Sequence, residues 1–214
     1  MLVIFDCDGV LIDSERILND VYRECLLEVG LELTMDEVIH HFKGRSTKDC
    51  LVIAEEMLGR PISEEQLNSK YEEVGVRRFR EEIGPIPGIK EVLEGLTLRR
   101  CVASSSSYEH IHMGLELSGL LPYFTEGIYS ASEVARGKPA PDLFLYAAEK
   151  MGVLPEECVV VEDSPPGVEG AIAAGMKVLG YVDLSPEEEL RSAGAVTFGS
   201  MSELPGLLDD LKAQ

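Results

Sequence analysis

Leu2-Val3-Ile4-Phe5-Asp6-Cys7-Asp8-Gly9-Val10-Leu11 is the stretch that decides the fold. Its first four residues form an unbroken apolar run, which suits a strand buried on both faces of a parallel sheet. Open parallel sheets bind ligands beyond the carboxyl ends of their strands. Asp6 and Asp8 stand at that end, one residue apart. Two carboxylates about 4 Å apart repel by roughly 4 kcal/mol at an effective dielectric near 20. The pair therefore calls for a compensating cation or a shared proton, and it marks a metal site with chemistry attached. Strand alternation turns the intervening Cys7 away from both.

Downstream, residues 15–83 carry helical periodicity and no convincing strand. Thr34-Met35-Asp36-Glu37 and Ser63-Glu64-Glu65-Gln66 read as capping boxes that open helices, and Gly59 as the stop of a helix over residues 46–58. Gly84-Pro85-Ile86-Pro87-Gly88 then breaks the pattern. Beyond it, strands over residues 100–103, 158–161, 177–181 and 195–198 alternate with helices over 109–119, 142–151 and 167–174. Two more helices are expected, one opened by Ser185-Pro186-Glu187-Glu188 and one running from Ser200. Such alternation predicts an α/β protein with a Rossmann-like, doubly wound parallel sheet. Residues 1–13 and 87–214 form that core, and residues 14–86 an all-helical cap inserted after the first strand.

The chain has 214 residues, with 19 Lys and Arg against 39 Asp and Glu, for a formal charge of −20. A surface that acidic excludes a nucleic-acid backbone or an anionic membrane as a natural partner. Ten of the 19 basic residues lie in residues 14–86. Most read as solvated helix faces; Lys43, Arg45 and Lys70 are the cap candidates for selecting an anionic substrate. The five cysteines are odd in number, widely spaced and free of C-x-x-C, which argues against a disulfide framework or a zinc site. No charged leader and no apolar stretch near 18 residues is present, so a cytoplasmic location is expected, with a monomer as the default. His40, His41, His110 and His112 lack metal-ligand spacing and read as helix-surface residues.

Four chemical features fall at the ends of predicted strands or in adjoining loops. They are Asp6 and Asp8, then Ser104 opening Ser104-Ser105-Ser106-Ser107, then Lys138 in Gly137-Lys138-Pro139, then Glu162-Asp163. Each alone has a bland reading: a turn, a solvated lysine, a strand end. In a parallel sheet all four converge on one edge.

In that order the features resemble the four motifs of the haloacid dehalogenase superfamily of phosphotransferases, over essentially the whole chain. Residues 5–15, Phe-Asp-Cys-Asp-Gly-Val-Leu-Ile-Asp-Ser-Glu, are similar to its first motif, and Val161-Glu162-Asp163-Ser164-Pro165-Pro166-Gly167-Val168 to its fourth. The resemblance is to the branch with a helical cap that includes β-phosphoglucomutase and many sugar-phosphate phosphatases. It implies a phosphate monoester of a small metabolite as substrate and Mg²⁺ as cofactor. Asp6 becomes the nucleophile that forms an aspartyl-phosphate, and Asp8 the general acid and base. Lys138 and Ser104 act on the phosphoryl oxygens, with backbone N–H groups of Ser105 or Cys7 as further donors. Mg²⁺, which favours hard oxygen ligands, would take Asp6, the carbonyl of Asp8 and Asp163, with Glu162 binding directly or from outside. A phosphosugar mutase is the rival within the family, but this sequence lacks a histidine near Leu18 and has Thr47 where an arginine is expected. A receiver-type phospho-aspartate switch is the rival from another class; length and motif order count against it.

Overall fold

The computed structural model describes the backbone of residues 1–42 and 47–212. All four residues of Leu2–Phe5 (β1) are buried. The strand pairs in parallel with Arg99–Ser104 (β2) on one side and Cys158–Glu162 (β4) on the other. Ile128–Ser130 (β3), Lys177–Tyr181 (β5) and Val196–Phe198 (β6) complete a six-stranded parallel sheet in the order β3-β2-β1-β4-β5-β6. This is the doubly wound order, and the direction of winding reverses beside β1. Leu2, Ile4, Cys101, Ala103, Cys158 and Val160 share one hydrophobic core with Leu143, Phe144, Ala147 and Val168. Phe5 faces the other way, edge-on to Phe124 with ring centroids 6.0 Å apart. Burial on both faces is what an unbroken apolar run demands.

The crossovers are helices α5 (Ile89–Gly95), α6 (Tyr108–Leu117), α7 (Asp142–Met151), α8 (Pro165–Ala173) and α9 (Glu187–Ala193), with α10 (Leu204–Lys212) last. Two short elements lie outside the sequence expectations. β3 is the short Ile-Tyr-Ser, without an apolar run, and α5 opens on Gly88 without a side-chain cap, so neither carries a local signal. One expected cap and one expected helix start also differ. α9 takes Pro186 as its N-cap, without a side-chain cap, one residue after the expected Ser185. Ser200 does make its box with Glu203, but around a 3₁₀ turn, Met201–Glu203, that precedes α10.

The residues cluster in two compact units, Met1–Asp13 with Gly84–Gln214, and Ser14–Ile83. Gly84, Pro85 and Ile86 therefore belong with the sheet, where Ile86 donates its N–H to Leu11 and Pro85 bridges Ile12. The second unit contains α1 (Ser14–Glu28), α2 (Met35–Phe42), α3 (Thr47–Leu58) and α4 (Glu64–Glu82). It has its own core of Val21, Tyr22, Cys25, Leu26, Val38, Phe42 and Ala54. Thr34 and Glu37 close the expected capping box, with N–H to carboxylate at 2.8 Å and N–H to hydroxyl at 3.3 Å. All five cysteines are buried and reduced. Among the described residues no helix is long and apolar enough to cross a membrane.

Candidate active site

The carboxyl ends of β1, β2 and β4 lie side by side at the reversal of the sheet, and each delivers one of the chemical features. Asp6 continues β1 and donates its N–H to the carbonyl of Val161 on β4 at 3.0 Å. The chain then turns back on itself: Leu11 and Ile12 both donate to the carbonyl of Cys7, and Gly9 to that of Ile12. Gly9 sits at φ 78°. A Cβ there would also come within 2.5 Å of Asp163 Oδ2, so glycine is what lets the β4 carboxylate approach the β1 loop.

Lys138 reaches this edge from the loop before α7, its side chain only 5% exposed. Its Nζ donates to Asp6 Oδ1 at 2.7 Å and to Glu162 Oε1 at 2.6 Å. Burial opposes charge on the ammonium, but Asp6 and Glu162 outweigh it and raise the pKa above the usual lysine range. Glu162 is fully buried, and its other oxygen accepts from the N–H groups of Asp163 and Ser164 at 2.9 and 2.8 Å and from Ser164 Oγ at 2.9 Å. Both oxygens of Glu162 are thus committed to orienting Lys138 and the loop after β4.

Asp6, Glu162 and Asp163 each bring a carboxylate oxygen within 4.8 Å of the others. Burial, and then the charges of Glu162, Asp163 and Asp8 against that of Lys138, lift the Asp6 carboxyl well above the ordinary aspartate range. One ammonium does not neutralise this cluster. A divalent, hard, oxygen-seeking cation matches the deficit and the donor set.

Asp8 parts company with Asp6. Its Oδ2 accepts from Ser106 Oγ at 2.7 Å, and its Oδ1 lies 3.0 Å from His110 Nε2. Burial works against charging the His110 ring, but the hydrogen bond and the charge of Asp8 prevail and raise its pKa. His110 is therefore no idle surface residue, as its lack of ligand spacing implied. A signal was available: Ser106 just before α6 and His110 in its first turn are four apart, close enough to meet one partner. Ser104, the buried last residue of β2, accepts the N–H of Ser106 at 3.1 Å, which leaves its own O–H to donate. Ser105 is exposed in the loop that follows. Of the cap candidates, Lys43 and Arg45 lie outside the described residues, and Lys70 lies on α4.

The sequence profile of haloacid dehalogenase-like hydrolases matches residues 1–175. The 6-phosphogluconate phosphatase of Escherichia coli is 31% identical over 205 residues, covering 96% of this chain and 93% of that protein. A phosphorylated carbohydrates phosphatase of Thermotoga maritima is 32% identical over 214 residues, covering 98% of each. Among solved structures, a conserved haloacid dehalogenase-like protein of unknown function from Agrobacterium tumefaciens superposes with a TM-score of 0.92 at 39% identity, covering 99% of this chain and 98% of that one.

Proposed function

The chain belongs to the haloacid dehalogenase-like hydrolase family, and from that premise we propose that it is a magnesium-dependent phosphatase of small phosphorylated sugars or sugar acids. The observation that carries the reading is Lys138 bridging Asp6 and Glu162 beside Asp163, a buried anionic cluster with one built-in cation. The substrate class rests on the relatives that act on 6-phosphogluconate and on phosphorylated carbohydrates.

A phosphate monoester repels an anionic nucleophile, so attack requires charge neutralisation at the point of contact. Asp6, the backbone carbonyl of Asp8 and Asp163 would hold Mg²⁺, with Glu162 oriented outside the coordination shell. Bound there, the ion supplies the positive charge that the cluster and the phosphoryl group both lack. Lys138 works against protonation of Asp6 and aims its carboxylate through the bond to one oxygen. The other oxygen attacks phosphorus, and the P–O bond to the leaving group breaks as the aspartyl-phosphate forms. Asp8 gives its proton to the departing oxygen, then takes one from the water that cleaves the acyl phosphate. Ser104 donates its hydroxyl to a phosphoryl oxygen, with the N–H groups of Ser105 and Cys7 as additional donors. Lys43, Arg45 and Lys70 in the cap sequence are the candidates for a second anionic group on the substrate.

The test is Asp6→Asn assayed with p-nitrophenyl phosphate and a panel of phosphorylated sugars and sugar acids that includes 6-phosphogluconate. Turnover should vanish with every substrate. Activity persisting within tenfold of wild type would refute the covalent route.

A further inference from the structure

From the two hydrogen bonds that hold its carboxylate, we infer that His110, together with Ser106, is a positioning residue that keeps Asp8 apart from the cation cluster and oriented for proton transfer. The inference rests on the reading of Asp8 as acid and base. Its evidence is the contrast between two aspartates one residue apart.

Asp6 lies against Lys138 at 2.7 Å, whereas Asp8 is bound by Ser106 Oγ at 2.7 Å and His110 Nε2 at 3.0 Å. Among the described residues the grouping of potential metal-binding carboxylates contains Asp6, Glu162 and Asp163 but not Asp8. A mobile carboxylate this near a site built for cations would be drawn into it, where it would lose its ability to carry a proton. The clamp opposes that. His110 donates to Asp8 whenever the carboxylate is ionised, and Ser106 takes the other oxygen. These two bonds, one on each oxygen, fix the plane of the carboxylate.

The clamp is itself anchored. Ser130, fully buried at the end of β3, donates its hydroxyl to the carbonyl of Ser106 at 2.7 Å. Glu133 accepts the Ser130 N–H at 2.9 Å and fixes that turn in place. Ser107 caps α6 through the N–H of His110 at 3.3 Å, setting the start of the helix that carries the ring. Three strand ends therefore converge on the position of one carboxylate.

The test uses kcat/KM, which reports transfer from substrate to enzyme, across aryl phosphates of rising leaving-group basicity from p-nitrophenyl to phenyl to p-methylphenyl phosphate. A nitrophenolate departs without help, but a phenolate needs a proton. General acid catalysis contributes about 10²–10⁴-fold. His110→Ala should lose less than about threefold on p-nitrophenyl phosphate but about 10–100-fold on the phenyl esters. His110→Gln, whose amide N–H can take the place of Nε2–H, should recover most of that loss. Ser106→Ala releases the other oxygen and should steepen the same dependence, so the result does not hang on one variant folding. Asp8→Asn sets the reference. If it steepens the leaving-group dependence and neither His110→Ala nor Ser106→Ala does, the clamp is refuted. If Asp8→Asn itself shows no such dependence, the acid/base reading fails beneath it. A uniform loss across the series, unrecovered by glutamine, would make His110 merely structural and would also overturn the inference.

Discussion

A methyl group at Gly167 should disable the site from a position that touches no substrate. Gly167 is the third residue of α8, in ordinary helical backbone, where alanine is favoured over glycine by about 1 kcal/mol. The obstacle is Glu162. A Cβ at residue 167 would lie 1.7 Å from Glu162 Oε1 and 2.0 Å from its Cδ. Ordinary contact begins near 3.4 Å, so the carboxylate must retreat by about 1.7 Å. Its bonds to Lys138, Asp163 and Ser164 span 2.6–2.9 Å, and a shift of that size breaks most of them. Breaking a buried ion pair costs about 3–5 kcal/mol, which outweighs the helical gain and leaves a net loss of about 2–4 kcal/mol. Gly167→Ala should therefore unfold earlier in urea by that amount and lose at least about 100-fold in kcat/KM on p-nitrophenyl phosphate, since Lys138 and the loop carrying Asp163 shift together. Gly206→Ala is the control: it also lies in a helix, α10, with nothing within 4 Å of its Cβ, and should stabilise by about 0.5–1 kcal/mol. In a Glu162→Ala background the clash disappears, so the cost of Gly167→Ala should vanish, a coupling that a double-mutant cycle measures. A Gly167→Ala protein as stable and active as wild type would refute the account of Glu162 as a fixed strut.

Three further outcomes follow from the same geometry. Lys138→Met leaves Asp6 and Glu162 buried without their shared ammonium, and should cost about 3–5 kcal/mol in urea unfolding along with essentially all turnover. Magnesium should raise the melting temperature in the absence of substrate, by the equivalent of about 2.7 kcal/mol at one hundred times its Kd; Asp163→Asn should abolish the shift, and an unchanged response would remove Asp163 from the ligand set. In the helical unit, Asp20 is bound by Arg78 at 2.9 Å and Arg23 at 2.9 Å; burial would raise its pKa, but these bonds hold it below the usual aspartate value. Because the folded-state pKa is the lower one, the stability that Asp20 adds is complete above about pH 4 and fades as pH falls through the folded value. Asp20→Asn should accordingly be less stable than wild type at neutral pH, with the gap closing in urea titrations as pH falls below the ordinary aspartate value.

What the sequence disclosed, it disclosed through local signals. The apolar run before Asp6 identifies the strand, and strand buried on both faces is a property of four consecutive residues. Lys138 and Glu162-Asp163 become meaningful through their order along the chain, because a parallel sheet sends every strand end to one edge. β3, Ile-Tyr-Ser, has no apolar run to mark it, yet its last residue, Ser130, supports the loop that holds Asp8. The spacing of Ser106 and His110 hinted at a shared partner, but not at which one. That partner is 102 residues away from His110, and the contact depends on how the first turn of α6 is rotated against the loop after β1, which no local pattern encodes. Glu162 falls between these cases: its presence beside Asp163 was evident, but the direction of its carboxylate is set by the missing Cβ of Gly167 in the next helix.

These contacts also explain why Asp6 and Asp8, so alike in sequence, are not interchangeable. The loop after β1 doubles back within a few residues, with the carbonyl of Cys7 accepting two N–H groups and Gly9 at positive φ. That turn directs the first carboxylate toward the end of β4 and Lys138, and the second toward the loop after β2. On the β4 side the partners are an ammonium and two more carboxylates, a buried anionic pocket whose remaining charge a bound cation would have to balance. On the β2 side the partners are a hydroxyl and an imidazole, groups that hydrogen-bond a carboxylate without neutralising it permanently, which is the setting a proton carrier requires. With the proposed roles, the division between nucleophile and acid/base follows strand order: β1 lies between β2 and β4, and each neighbour claims one aspartate.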